Sequence, residues 1–343
     1  MKRNSLINFI GMCILITGFS SCSFAQDKKS VESFFGRWSL YLPGGAGWLE
    51  VHPEESYLDA SLLWYGGSVV PVDNVYLEDD ELVVTLVSEV IRERNKAGEA
   101  VRTHVLTDLY KFKMINENEM KGLAIDVEKD SLGVVKTEFK AKRIPDLPST
   151  PDFSKIKYGK PVELFNGKDL SGWQLLEKER PNGFKVENGV LANNPVQKEG
   201  EPHISYGNLR TVKEFEDFNL KLQVNVPEGS NSGIYLRGIY EVQVLDSYGN
   251  PLDSHNMGAI YSRITPSVAA EKPAGEWQQL DITLYKRYVT VILNGVKIID
   301  CQPLLGVTGG ALTADEFSPG PIYLQGDHGK VMYRDIVLTP IIE

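Results

Sequence analysis

Cysteine is nearly absent from this chain: three residues in 343, Cys13, Cys22 and Cys301. Two of them stand close to the start, so the body of the chain has no pair from which to build a disulfide framework. Its stability must come from apolar burial. Histidine is also scarce, at five residues. There is no HExxH, no cysteine cluster and no EF-hand loop, which excludes the metal sites of standard spacing. A glycine-rich phosphate loop, a serine nucleophile elbow and a dinucleotide fingerprint are missing as well, so no nucleotide-driven or nicotinamide chemistry is written in the sequence. Basic residues are outnumbered, 36 to 46, for a formal charge of −10. Such a balance disfavours nucleic acid and anionic membrane surfaces as partners. Past the first twenty-odd positions no apolar run is long enough to span a membrane. Few segments carry helical periodicity.

What is present begins with Lys2 and Arg3, followed by an apolar run from Leu6 to Phe19 and then small residues. This is the layout of a secretory leader. Ser23-Phe24-Ala25 before Gln26 offers a small-x-small cleavage site, and Cys22 offers a lipidation site. Cleavage after Ala25 is preferred, because Phe19 stands where a lipoprotein leader usually has Leu, Val or Ile. The protein is therefore expected to be exported, periplasmic or associated with the outer membrane, and to meet a membrane only through a lipid on Cys22. Removal of residues 1–25 takes away two basic residues and no acidic one, so the formal charge becomes −12. The length that remains suggests two domains.

The first domain is expected over residues 31–143. Runs of strand character start at Arg37, Gly47, Tyr57, Glu81, Thr103 and Val134, separated by Pro43-Gly44-Gly45, Gly66-Gly67, Glu78-Asp79-Asp80 and Asn95-Lys96-Ala97-Gly98. Short, regularly spaced strands predict a β-meander closed as a barrel or sandwich. The Gly-x-Trp at Gly36-Arg37-Trp38 resembles the opening of lipocalin-like barrels, with Trp38 as a core plug the competing reading. Residues 144–160 are proline-rich and read as an interdomain linker. The second domain, residues 161–343, is again strands. The pair Asn294-Gly295 is the strongest hairpin signal in the chain. A sandwich of two antiparallel sheets fits this spacing, so the whole chain is expected to be all-β.

The most informative stretch is NSGIYLRGIYEVQVLDS, Asn231 to Ser247. Read as extended chain, one parity carries Ile234, Leu236, Val242 and Val244, a core face. The other carries Tyr235, Arg237, Glu241 and Gln243. A plain wet face more often holds Lys, Thr, Ser and Glu. A row of Tyr, Arg, Glu and Gln suits a polar ligand such as a sugar. Gly238 leaves room for a bulge that keeps the phase.

The second domain closely resembles the 3-keto-disaccharide hydrolase domain family. The resemblance rests on ELFNGKDLSGW (Glu163 to Trp173), the stretch just described, GAIY (Gly258 to Tyr261), PAGEWQQLDI (Pro273 to Ile282), LNGV (Leu293 to Val296) and GPIYLQGDHGKVMYRDI (Gly320 to Ile336), in family order. It implies a concanavalin-A-like β-sandwich of jelly-roll type that acts on sugars. A sugar oxidised at C3 has an acidified hydrogen at C2. Its removal lets the glycosidic oxygen leave C1 by elimination, and water adds back. Such chemistry needs a base, an acid for the leaving oxygen and a group to hold the enolate. His328 or Glu241 is the expected base, Asp246 or Glu241 its partner or the acid, and Arg237 the enolate holder. Tyr235, Gln243, Tyr261 and Gln325 are expected to bind hydroxyls, and His255 to border the cleft. The expected partners are a glycoside or oligosaccharide and a separate sugar 3-oxidoreductase that makes the ketone. No cofactor is required, although the loop from Asp246 to His255 has oxygen ligands enough for a calcium ion. A non-catalytic carbohydrate-binding module is the competing reading.

Overall fold

A computed structural model of the chain describes residues 31–198 and 200–342. The leader, its Ala25 and Cys22 exits, and the two early cysteines lie outside the described residues. Among those described, regular structure is strand apart from two helical residues, Val31 and Glu32, and one 3₁₀ turn, Phe153–Lys155, so the chain is all-β as the patterns predict.

The N-terminal strands are β1 (Gly36–Leu42), β2 (Gly45–Pro53), β3 (Leu58–Trp64), β4 (Val70–Pro71), β5 (Asn74–Glu78), β6 (Glu81–Arg94), β7 (Ala100–Asn116), β8 (Glu119–Val127) and β9 (Val134–Arg143). They form one antiparallel sheet in the order β4-β3-β2-β1-β9-β8-β7-β6-β5. The two edge strands are consecutive in sequence, so the sheet has to curl until its edges nearly meet. No ladder joins those edges among the described residues. The seam is instead bridged by the chain itself: the amide of Val72 bonds to Ala60 and that of Asp73 to Thr85. Alternation along β1 and β2 puts Trp38, Leu40, Leu49 and Val51 inside, nearly or fully inaccessible. Trp38 is a core plug: its indole N–H donates to the carbonyl of Phe34 at 2.9 Å.

Residues 144–160 do not hang free. Ile144 is buried, Phe153 packs edge-on to Tyr285, and the carbonyl of Pro148 accepts from the Tyr288 hydroxyl.

The remaining strands are β10 (Val162–Glu163), β11 (Trp173–Leu175), β12 (Phe184–Glu187), β13 (Val190–Asn193), β14 (Leu209–Thr211), β15 (Phe218–Asn225), β16 (Asn231–Leu236), β17 (Tyr240–Leu245), β18 (Trp277–Tyr285), β19 (Tyr288–Leu293), β20 (Val296–Pro303), β21 (Tyr323–Leu324) and β22 (Val331–Pro340). An eight-stranded sheet runs β12-β13-β22-β15-β18-β19-β20, with β10 also on β22, and a five-stranded sheet runs β11-β14-β21-β16-β17. The β19–β20 hairpin turns at Asn294 and Gly295, both at positive φ, as the sequence predicts for a two-residue turn. Leu220, Leu222, Ile282 and Val291 of the larger sheet share one apolar cluster with Ile234, Val242 and Val244 of the smaller. That cluster also takes in Ala46, Trp48 and Leu63 from the N-terminal sheet. The two halves of the molecule therefore share a packed seam.

Candidate active site

Strands β16 and β17 pair with Tyr235 opposite Glu241 and Gly233 opposite Gln243. Side chains opposite one another leave the same face, so Tyr235, Glu241 and Gln243 emerge together, as their parity predicts. The other parity, Ile234, Leu236, Val242 and Val244, is fully buried in the core. The polar face is not wet: Tyr235 is 1%, Glu241 3% and Gln243 3% exposed. A methyl group on Gly233 would come within 2.2 Å of Glu241 Oε1, so a glycine there is what gives the carboxyl its place.

The phase is lost at Arg237. Instead of a bulged strand, Arg237, Gly238 and Ile239 make the hairpin turn, with Arg237 at φ 55° and Gly238 at φ 68°. The Arg237 guanidinium turns to the backbone carbonyls of Glu316 and Ser318. It is buried and does not line the cleft. This corrects its expected part as enolate holder. Asp246 is corrected too: Oδ2 accepts from the amide of Gly229, which ties it into a turn. Arg334 bonds Gln223 and lies over Trp277, on the other sheet.

A cleft of about 210 Å³ opens over the polar face. Gln325, just past β21, and Asn231 form one side, Tyr261 another, and His328 the rim. The remaining wall is backbone: Gly309 and Gly310, backed by Gly66 and Gly67 of the loop between β3 and β4. His255 does not line the cleft, but its ring stands edge-on to Tyr261 at 4.8 Å and its Nε2 shares a hydrogen with Ser68 Oγ at 2.8 Å.

Hydrogen counting identifies the state of the carboxyl. The Tyr235 hydroxyl has one hydrogen but sits 2.8 Å from Glu241 Oε2 and 2.7 Å from the carbonyl oxygen of Gly309. The Gln325 amide also donates to it, at 3.0 Å. An ionised Glu241 would leave one of those acceptors without a hydrogen. A protonated Glu241 donates to the tyrosine oxygen, which donates on to Gly309, and both oxygens beside the tyrosine then share in a hydrogen. Burial points the same way: it pushes the Glu241 carboxyl up to about 8 against the opposing bond from Tyr235. No cation is paired with it among the described residues. His328 is exposed at the rim, yet the protein around it disfavours its charged form and lowers its pKa, against a pull upward from Asp327. Asp327 itself is engaged by the Tyr206 amide and by His203. Two buried acceptors that face the cleft, Asn231 Oδ1 and Gln325 Oε1, have no partner among the described residues. Unpaired buried acceptors are costly and call for a donor from a ligand or water.

Asn231 and the glycines of the backbone wall escape the sequence. Asn231 shares the parity of Tyr235 and could have been found by extending the alternation by two steps. Gly66 and Gly67 come from the other half of the chain, and no local pattern connects them to this cleft. Among the described residues the His/Asp/Glu grouping with ligand-like separations is His52, Glu54 and Asp59, none of which lines the cleft. In the Asp246 to His255 loop, Asp246 is held by backbone and Asp253 by His255.

Residues 160–339 match the family model described as the 3-keto-alpha-glucoside-1,2-lyase-like domain. The chain is 27% identical over 184 residues to the 3-keto-disaccharide hydrolase of Bacteroides thetaiotaomicron, which covers 46% of this chain and 63% of that relative's length. Two solved structures of candidate glycosyl hydrolases from Parabacteroides distasonis are also similar. One is 30% identical with a TM-score of 0.44, covering 56% of this chain and 92% of its own. The other is 23% identical with a TM-score of 0.43, covering 52% and 92%.

Proposed function

We propose, from the premise that the chain belongs to the 3-keto-alpha-glucoside-1,2-lyase-like domain family, that it cleaves 3-keto-glycosides by elimination and hydration. The observation that carries the reading is a buried carboxyl, Glu241, that keeps its proton near neutrality and shares one small polar cleft with His328, an imidazole biased toward the neutral form. Neutral His328 takes the C2 proton. The C1–O bond breaks, the electron pair leaves with the oxygen, and Glu241 supplies the proton that oxygen needs, directly or through Tyr235. Water then adds at C1 and a proton returns to C2, which completes a net hydrolysis. Asn231 Oδ1 and Gln325 Oε1 accept from sugar hydroxyls. The ketone is made beforehand by a separate sugar oxidoreductase, in keeping with the absence of a dinucleotide fingerprint, and export places the reaction outside the cytoplasm. A binding-only sandwich has no use for a proton held at this cost.

The test is product analysis with a 3-keto-disaccharide in deuterated water. Free 3-keto sugar carrying deuterium at C2 is expected. Activity should fall below the ordinary histidine range as His328 is protonated, and again above about 8 as Glu241 loses its proton. Release without exchange at C2 across the whole pH range would count against elimination, and no release against the function itself.

A further inference from the structure

A second cavity, of about 560 Å³, adjoins the cleft where both touch Gly66 and Gly310. It lies between the N-terminal sheet and the sandwich. The partition between the two cavities is a pair of aromatic rings: Tyr235 lines the cleft, Tyr323 lines the second cavity, and they stack at 4.1 Å and 13°. On the far side stands Tyr65, held with evident specificity. It is a non-glycine residue at φ 60°, a conformation that is retained mainly where the surroundings enforce it. Its carbonyl accepts from Gly310, its hydroxyl donates to the carbonyl of Pro43, and its ring meets Trp64 edge-on. Its ring carbon Cδ1 lies 2.9 Å from where a Cβ of Gly45 would be, so that glycine makes room for the ring.

The acid and the amide of this cavity are engaged with protein groups. Glu177 accepts from both the amide and the side chain of Asn208. Asn208 Oδ1 accepts from the amide of Gly326. A second sugar would find few free partners there, whereas Tyr65, Tyr323, Leu176 and Leu312 offer rings and methyl groups. The cleft is the reverse: small, polar, and with two orphaned acceptors.

We infer that the second cavity is the leaving-group subsite, built jointly by the two halves of the chain, and that it takes an aromatic aglycone. The inference rests on the reading of the cleft as the 3-keto-sugar site. It gives the N-terminal sheet a part in substrate choice through the Tyr65 loop.

The experiment compares kcat/KM for an aryl and a methyl 3-keto-β-glucoside. The aryl-to-methyl ratio is expected to fall roughly tenfold in Tyr65→Ala, the worth of one good ring contact, and to be kept in Tyr65→Phe. A ratio unchanged by Tyr65→Ala, or a parent enzyme that prefers a second glucose to the aryl group, overturns the inference while leaving the cleavage reaction standing. If no 3-keto-glycoside is turned over, the reaction has failed and the cavity is judged separately. Titration of the full chain with 4-nitrophenol should then shift the methyl resonances of Leu176, Ala311 and Leu312. Still methyl signals overturn the subsite, and this measurement also serves if Tyr65→Ala does not fold.

Discussion

Glu241 and Glu316 are both glutamates buried in the same sandwich, 3% and 1% exposed, yet their surroundings differ in kind. Around Glu316 the protein has gathered cations. Oε2 accepts from the Tyr240 hydroxyl at 2.8 Å and from Arg287 at 3.3 Å, with Arg263 and Arg237 close enough to act on its charge. Burial raises its pKa, and Arg287, Tyr240, Arg263 and Arg237 all oppose that rise. Around Glu241 only the Tyr235 hydroxyl opposes burial. A carboxyl ringed by guanidiniums is a fastening between loop and sheet. A carboxyl buried without a cation, next to a cleft with unpaired acceptors, holds a proton for use. Burial alone does not separate these roles; the partners do.

The largest effect should come from making each glutamate neutral and permanently so. Glu241→Gln keeps shape and hydrogen-bonding capacity but cannot give up a proton. We expect kcat to fall by about 10²–10⁴ with no lowering of the urea midpoint, since the carboxyl that is replaced is itself uncharged in the fold near neutrality. Glu316→Gln should do the opposite. It leaves Arg287 buried without its counter-charge, which costs about 3–5 kcal/mol in stability, read as a lowered urea midpoint at unchanged slope. Equal losses of activity and stability in both variants would erase the distinction.

A smaller effect tests how the cleft is fitted. Gly233→Ala places a methyl group against Glu241 Oε1. Overpacking of this kind costs about 1–3 kcal/mol. It should also move the carboxyl, so activity should fall further than stability would explain. Activity assays on protein shown to be fully folded at the assay temperature separate the two.

How much of this was legible in the chain follows the same division. The Glu241 face was readable because strand alternation is a local rule, and its register survives in Tyr235, Glu241 and Gln243. Arg237 misled because LRGIY satisfies both a bulged strand and a three-residue turn, and only the left-handed backbone at Arg237 and Gly238 decides. The Glu316 cluster was invisible: ADEFSPG reads as a polar loop, and its partners are distant in sequence, Tyr240 on β17 and Arg287 in the turn between β18 and β19. The same holds for Gly66 and Gly67 at the cleft and for Tyr65 at the second cavity, whose places are set by how the two halves pack. In the N-terminal sheet, β8 went unread because Gly122 interrupts its alternation. The structure shows why the glycine is there: any Cβ would strike the Phe139 ring on β9.

The last prediction concerns pH and sharpens the comparison most directly. Glu241 has an ordinary value of 4.5 and is pushed up to about 8 in the folded protein. Between those values the unfolded chain has released this proton while the folded chain still holds it. The folded state then binds more protons, so this group makes stability fall as pH rises, by at most about 1.4 kcal/mol per pH unit, and the loss levels off above about 8. Glutamine has no such proton. The stability of Glu241→Gln relative to the parent should therefore grow from pH 5 to pH 8, with the other titrating groups cancelling in the difference. Urea midpoints measured across that range give the slope. If the two proteins ran parallel, Glu241 would be ionised in the fold, the hydrogen count around Tyr235 would have to be closed by another donor, and the carboxyl would lose its role as the acid and become a candidate for the base in place of His328.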